Sequence, residues 1–441
     1  MTAPAAIPQS DAEGRPTKLL PWTHLIRLSA YWLGLTAIDA AVGLFVQNRV
    51  NFGGFVKDLE VGRALAAISI GGAIISILVQ PTVGSISDYT VSRWGRRKPY
   101  IVIGSLLDVV FLLAIANAQT VLALAVFVTL LSFSTNVARG PFQGYVPDLV
   151  PASQVGAASA MVGLMQILGN VIGFALVPLA VVLHNPPIAL VAVAAVELVT
   201  MLSVVYRVTP GMPPQPREGR SWVTIARETW GTDILRERSY IWLVASRLFF
   251  LMGGGVLVNL VVTYLKQTHG LNQDAAAQVQ FVLLGIVAAT NIVIVIPAAR
   301  LSDRIGRKPV IYASTAIGAV GMAIAALAPS VPIALVGAAL FGISAGMFLA
   351  VDWALMTDII PKASAGRYMG LSNVATGSSA LLAVASGGLV IDAVNALAGY
   401  GMGPRVAYLV GVGYYLIAAL LLRPVKEPPK AQRLAGQPAV A

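Results

Sequence analysis

Six ionisable side chains stand inside long apolar runs of this sequence: Asp39, Asp108, Arg139, Glu197, Arg247 and Asp352. A charge at the centre of a membrane helix costs about 2.5 to 3.5 kcal/mol on insertion scales unless it meets a partner or water, so each of the six calls for one. An acid paired with an arginine in a low-dielectric setting stays ionised, and protonating the acid frees the arginine for other contacts. Such a pair can couple the binding of a proton to the binding of a solute. The competing reading is that the charges form fixed pairs that only hold helices together.

A second set of side chains offers hydrogen bonds. Ser132, Asn136, Arg139 and Gln143 recur at spacings of four, three and four, which places them on one helical face. Ser159, Gln166 and Asn170 follow among Gly163, Gly169 and Gly173. Glycines at that spacing read first as close helix packing. The amides of Gln166 and Asn170 supply the donors and acceptors that a sugar's hydroxyls require.

Catalytic chemistry finds little support. Gly342-Ile343-Ser344-Ala345-Gly346 fits a hydrolase nucleophile pattern, but it sits within an apolar run and lacks the strand-turn-helix setting that exposes such a serine. His24, His184 and His269 all fall near the borders of apolar runs, so proton transfer is left to carboxylates. With no cysteine and no His-Glu-x-x-His cluster, neither a metal site nor a cofactor is expected.

The elements that must position these residues are membrane helices. Hydrophobic residues make up 57% of the 441 and charged residues 11%, against about 25% charged in a soluble globular chain. One helical crossing takes roughly 20 residues. Twelve apolar runs are long enough: Leu25 to Val50, Ala64 to Ser85, Pro99 to Ala118, Val121 to Tyr145, Val155 to Leu183, Ile188 to Tyr206, Tyr240 to Tyr264, Val279 to Leu301, Pro309 to Ala328, Pro332 to Leu355, Tyr368 to Ile391 and Val406 to Leu422. They are called spans 1 to 12 below. The polar start of the chain and the length of span 1 lead to the expectation that no leader is cleaved.

The net charge of +11 invites a nucleic-acid reading, but the placement of the charge argues for topology. Most lysines and arginines lie in the N-terminal segment, the C-terminal tail and the loops after spans 2, 6, 8 and 10. The alternate face carries only Arg49, Lys57, Arg63, Lys266 and Arg405. The positive-inside bias puts the basic face and both termini in the cytoplasm. No nucleic-acid partner is expected, and the bilayer is the obligatory one.

The chain divides into a first six-span unit (1–206), a polar, proline-containing linker (207–239) and a second six-span unit (240–441). Within the linker, Ser221 to Leu235 can form a short amphipathic surface helix anchored by Trp222, or remain a solvated connector. The two units repeat. Gly84 to Asp88 followed by Gly95-Arg96-Arg97-Lys98-Pro99 after span 2 is answered by Asp303 and Gly306-Arg307-Lys308-Pro309 after span 8. Asp148 to Pro151 with Gly156 is answered at an offset of 210 by Asp358 to Pro361 with Gly366. Duplicated bundles are common among transporters.

The doubled loop signature resembles that of the major facilitator superfamily, and the likeness covers nearly the whole chain. The lengthened first copy, and Asn136 with Gly140-Pro141 followed by Asp148-Leu149, resemble the sucrose transporters and animal sugar-proton symporters allied to the glycoside-pentoside-hexuronide group. The resemblance implies an all-α membrane protein, twelve transmembrane helices in two pseudo-symmetric six-helix bundles, with spans 1, 4, 7 and 10 around a central cavity. Asp39, Arg139 and Asp352 are then the expected proton-coupling residues. Ser132, Asn136, Gln143, Gln166, Asn170 and Arg247 are expected to meet substrate, and Asp108 and Glu197 to form packing pairs or face water. The resemblance also places Asp88 and Asp303 near the starts of spans 11 and 5, where an anion is favoured. With Arg96, Arg97, Asp148, Arg307 and Asp358 they would latch the halves in the outward-open state. The chain departs from the branch at Gln143, where relatives carry an arginine just after Gly-Pro, and at Ser132, where plant relatives carry an acid.

The function expected is secondary active transport: symport of a small polar solute, a sugar or glycoside, with a proton or possibly sodium as coupling ion, by a monomer in the cell (inner) membrane. A proton-coupled exporter of drugs or metabolites shares the loop signature and is the alternative. A membrane-embedded enzyme is the weakest contender.

Overall fold

The computed structural model describes residues 19–151, 154–208, 216, 219–229, 237–359 and 365–427. Twelve helices are long and apolar enough to cross a membrane: α1 (Trp22–Phe52), α2 (Val61–Asp88), α3 (Lys98–Asn117), α4 (Val121–Gln143), α6 (Val155–Val182), α7 (Pro187–Arg207), α9 (Arg238–Asn259), α11 (Gln273–Ile305), α12 (Arg307–Leu327), α13 (Val331–Ile359), α14 (Ala365–Ala398) and α15 (Met402–Leu422). Three shorter α-helices, α5 (Tyr145–Leu149), α8 (Trp222–Thr229) and α10 (Val261–His269), and a 3-10 turn at Asp58–Glu60 accompany them, and no strand occurs among the described residues. Lipid offers no hydrogen bonds, so each crossing satisfies its backbone within its own helix. The helix ends follow local chemistry. Thr120 and Asn272 accept from the backbone N–H groups of Ala123 and Ala275 at 3.1 and 2.9 Å, and prolines open α3 and α7.

In the first unit α1 packs on α6 and α7, and α4 on α2 and α3. In the second, α13 packs on α11 and α12, and α15 on α9 and α12. The units meet where α2 lies along α14 and α6 along α11. Glycine makes the first junction close: a Cβ on Gly62 would fall 1.9 Å from the Gly388 carbonyl oxygen. The glycine stripe of α6 serves packing too, since a Cβ at Gly169 or Gly173 would fall 2.3 or 2.5 Å from the carbonyls of Leu33 or Ala37. Gly163 has nothing within 4 Å.

Span 7 does not run unbroken to Tyr264. The helix ends at Asn259, Leu260 takes φ −125° and ψ 10°, and α10 sets off anew. The break lets Thr263, Lys266 and Gln267 of α10 reach polar partners across the interface with the first unit. In the linker, α8 falls within Ser221 to Leu235, where a short surface helix and a solvated connector were both open readings. Its Trp222 is exposed, and beside it Arg220 stacks over the Tyr89 ring at 5.0 Å. Residues 230–236 lie outside the described residues.

Candidate functional site

From Leu28 to Phe52 every residue of α1 is buried or half-buried except one, Asp39. A lipid-facing helix exposes apolar side chains, so α1 is an interior helix and Asp39 faces an internal volume. Its carboxylate accepts from Arg139 of α4 at 2.5 Å. The acid's side chain is 51% exposed and the arginine's 10%. Arg139 Nε is buried with no acceptor, so the guanidinium is not saturated by its partner.

The second unit carries the opposite arrangement, arginine on its first helix and acid on its fourth. Arg247 of α9 donates through Nη1 to Asp352 of α13 and through Nε to Thr376 Oγ1 of α14 at 3.1 Å. Here the side chains are 5% and 3% exposed. All four of Asp39, Arg139, Arg247 and Asp352 thus pair within their own unit, on the helices equivalent to spans 1, 4, 7 and 10.

The remaining polar candidates separate. Asn136 is 3% exposed and donates to Ser76 Oγ of α2 at 3.0 Å and to the Ser132 carbonyl at 2.7 Å. Ser132 lies against Gly72, whose Cβ would come within 2.7 Å of its hydroxyl. This part of the stripe is turned to α2 rather than to the volume that Asp39 faces. Gln143, at the last position of α4, is half-buried. Gln166 and Asn170, one turn apart on α6, are half-buried, and neither amide is held by another side chain among the described residues. Asp108 and Glu197 are fully buried between α3, α4 and α7.

On the basic face the loop signature is built rather than merely charged. Arg96 Nη2 donates to Asp148 Oδ2 at 2.6 Å, Arg97 Nε to the same oxygen at 2.8 Å, Arg97 Nη1 to the Pro141 carbonyl at 2.8 Å and Nη2 to Asp88 at 3.0 Å. The repeated glycine has a backbone reason: Gly95 and Gly306 both adopt positive φ, 94° and 100°, a region L side chains seldom enter. All these contacts stay within the first unit. In the second copy the Arg307 N–H donates to Glu427 at 2.8 Å, Asp303 is exposed with no ion pair among the described residues, and the side chain of Asp358 lies outside the described residues. The loop that precedes span 11, residues 360–364, lies there as well.

Every hydrogen bond that joins the two units among the described residues sits on the opposite face, in residues to which the sequence assigned no role in function. Asp392, at the far end of α14, accepts from the Gly62 and Arg63 N–H groups at 2.8 and 2.6 Å, capping the start of α2. Lys266 of α10 bridges the Asn51 carbonyl and Asp58, the latter at 2.6 Å. Gln47 accepts from the Val262 N–H at 3.2 Å, Asn51 donates to Thr263 at 2.8 Å, and Gln273 donates to Asn48 at 2.8 Å. Nearby, burial and then the charge of Arg405 lower the pKa of His269, which keeps it neutral beside the Tyr264 hydroxyl at 3.0 Å. A cleft of about 420 Å³ on this face, lined in part by Arg49, Gln119 and His184, lies apart from both ion pairs.

Twelve crossings, paired bundles and a polar interior volume define a membrane transporter. The chain belongs to the MFS/sugar transport protein family, which it matches over residues 59–421. Among curated proteins it is similar to sucrose transport protein SUC3 of Arabidopsis thaliana, 29% identical over 143 residues, 27% of this chain and 24% of that one. It is also 32% identical over 155 residues to the inner membrane transport protein YajR of Escherichia coli, 35% of this chain and 33% of the relative. The matched stretches thus span about a quarter to a third of these relatives. Among solved structures, a bacterial homologue of the human lysosomal transporter Spinster, in an inward-facing and unoccupied conformation, aligns at TM-score 0.67 and 16% identity over 95% of this chain and 98% of that one. The nucleoside transporter NupG aligns at TM-score 0.64 and 16% identity over 91% and 98%. These last two likenesses carry the fold alone.

Proposed function

We propose that the protein is a proton-coupled symporter that carries a sugar or glycoside by alternating access, as a monomer in the cell (inner) membrane with its basic face and both termini in the cytoplasm. The observation that carries this reading is the placement of Asp39, the one exposed residue of α1 between Leu28 and Phe52, bonded to an arginine whose Nε has no acceptor. While ionised, Asp39 holds Arg139. A proton on Asp39 removes the charge that holds the guanidinium, and Arg139 can then donate to solute hydroxyls or ring oxygens. Proton and solute are thereby favoured together, which is the requirement of symport. Gln166 and Asn170 add neutral donors and acceptors. The family description and the sucrose transport relatives support a sugar as the solute.

Alternating access requires a gate on each face. The bonds between units on the face opposite the basic one form one gate in its closed state. The charge cluster of Asp88, Arg96, Arg97 and Asp148, with Asp303, Arg307 and Asp358, would form the other when the molecule closes on the basic face.

Uptake of a panel of labelled mono- and disaccharides into proteoliposomes with an imposed pH gradient tests the reading. An inward pH gradient is expected to drive accumulation of one of them, with protons moving inward alongside it. Asp39→Asn is expected to retain solute exchange and to lose uphill accumulation. Outward solute movement against inward protons would establish the exporter instead, and accumulation at the wild-type level in Asp39→Asn would remove Asp39 from coupling.

A further inference from the structure

Behind the pair that faces the internal volume lies a second group of acids. Asp108 of α3 and Glu197 of α7 are both 0% exposed, and their carboxyls lie within hydrogen-bonding reach of each other. Hydroxyls occupy one oxygen of each. Asp108 Oδ1 accepts from Ser134 and from Thr135, the latter at 2.9 Å. Glu197 Oε1 accepts from the Tyr31 hydroxyl at 3.2 Å, and that hydroxyl also meets Ser105 Oγ at 2.6 Å. The other oxygens, Asp108 Oδ2 and Glu197 Oε2, receive no donor from any neighbour. Neither acid forms an ion pair among the described residues.

Two ionised carboxylates in contact, out of water and without a cation, repel strongly, and one proton between them removes the conflict while supplying the missing donor. We infer that Asp108 and Glu197 share one resident proton, forming a buried protonation site in the first unit that communicates with Asp39 through Arg139. The charged and titratable groups that face the two acids are few. Tyr31 comes from α1 and Arg139 from α4, while α3 and α7 bring only the acids themselves, and α6 brings none among the described residues. Arg139 lies four residues beyond Thr135 on the same face of α4, so its charge acts on Asp108 while its hydrogen bond goes to Asp39.

The arrangement permits a balanced relay. When Asp39 takes up a proton, its hold on Arg139 ends and the guanidinium charge is left to Asp108. That proton is the one released as the O–H bond at the buried pair breaks; one O–H bond forms at Asp39 for the one lost behind it, and the pair is left a dianion faced by Arg139. The role in transport rests on the proton-coupled reading above; the shared proton itself does not, and it is read without transport.

Infrared spectroscopy of the purified full-length protein at neutral pH tests the inference. A C=O stretch from a protonated carboxyl, downshifted in D2O, is expected in the wild type and is expected to move on labelling the aspartates isotopically. It should be lost in Glu197→Gln and in Asp108→Asn, and should weaken in Asp39→Asn, where Arg139 has lost its anionic partner. Absence of the band in the wild type, or its persistence in both buried variants, overturns the shared proton. An undiminished band in Asp39→Asn overturns the link through Arg139. Should the buried variants fail to fold, isotope labelling of the wild type still decides. Binding of radiolabelled sodium at neutral pH that depends on Asp108 would show a cation site in place of the proton and overturn the inference. Loss of coupling with the band intact would count against the transport reading alone.

Discussion

The two bundles place the same pair of charges at equivalent helices and treat them oppositely. In the first, Asp39 is half open to solvent and its arginine keeps an unused donor. In the second, Arg247 and Asp352 are sealed and the arginine is tied further to Thr376. A carboxylate that must take and release a proton needs a water route. A carboxylate that fixes two helices is better without one, since burial strengthens the attraction once the desolvation has been met. Solvent access, rather than the presence of an ion pair, therefore separates a switch from a strut, and the prior assignment of Asp352 to coupling is the one that this contrast weakens.

The largest expected effect comes from breaking the strut. Removing one partner of a buried pair costs about 3 to 5 kcal/mol because the other charge is stranded. Asp352→Asn is therefore expected to lower the thermal unfolding temperature in detergent sharply, and Arg247→Met combined with Asp352→Leu to recover much of it. A double variant that regains stability and still accumulates solute on a pH gradient would fix Asp352 as structural. One that regains stability but loses accumulation would return Asp352 to coupling.

A smaller effect belongs to the gate opposite the basic face. Asp392 satisfies two N–H groups at the start of α2, and loss of a helix cap costs about 0.5 to 2 kcal/mol. Because α2 and Asp392 belong to different units, that energy favours only the state closed on this face. Asp392→Ala is expected to raise labelling of a cysteine introduced at Gly43, a half-buried position of α1 that faces Asn259 of α9, by an impermeant reagent applied to this face. Asp88→Asn acts on the other gate, and labelling there from the basic face should rise if its cluster holds that gate shut. No change in either variant would reduce these residues to packing and topology.

The spans were legible because apolar length reports membrane crossing directly, and the need of Asp39, Arg139, Arg247 and Asp352 for partners because they are charges inside such runs; that Arg247 pairs with Asp352 was not read from the sequence. Three features were not. Lys266, Asp58 and Asp392 lie at span borders, where a gate residue and a solvated charge look alike in sequence. Their roles depend on contacts more than 200 residues apart. The break at Leu260 falls in an apolar stretch with no proline or glycine to mark it. The stripe on α4 has a helical period, but the period does not say which neighbour it meets, and Ser132 and Asn136 turn to α2.

That last point makes a prediction of its own. The amide of Asn136 is engaged with Ser76, whereas that of Asn170 is held by no other described side chain. A lost hydrogen bond is worth about 0.5 to 1.5 kcal/mol, or roughly two- to twelvefold in binding. Asn170→Ala, and likewise Gln166→Ala, are expected to weaken apparent solute affinity within that range at unchanged thermal stability. Asn136→Ala should do the reverse, lowering stability with affinity nearly unchanged. Affinity measurements on the three variants would expose a stripe that faces the solute after all if Asn136→Ala alone weakened binding.

The smallest stability effect is expected where the functional effect is greatest. An exposed ion pair contributes about 0 to 1 kcal/mol because water screens it and each partner is solvated once freed. Asp39, half exposed, approaches that limit, although Arg139 is largely buried and its Nε has no acceptor. Asp39→Asn keeps a carbonyl oxygen where the carboxylate stood, so Arg139 retains an acceptor and loses only the charge. The thermal unfolding temperature of Asp39→Asn should accordingly lie close to the wild type and far above that of Asp352→Asn, measured in the same detergent. The contrast between a switch and a strut then takes a numerical form: two isosteric replacements at equivalent pairs, one sparing stability and removing coupling, the other removing stability first. If the two variants are destabilised equally, solvent access does not distinguish the pairs, and Asp39 and Asp352 have to be treated as one symmetric set.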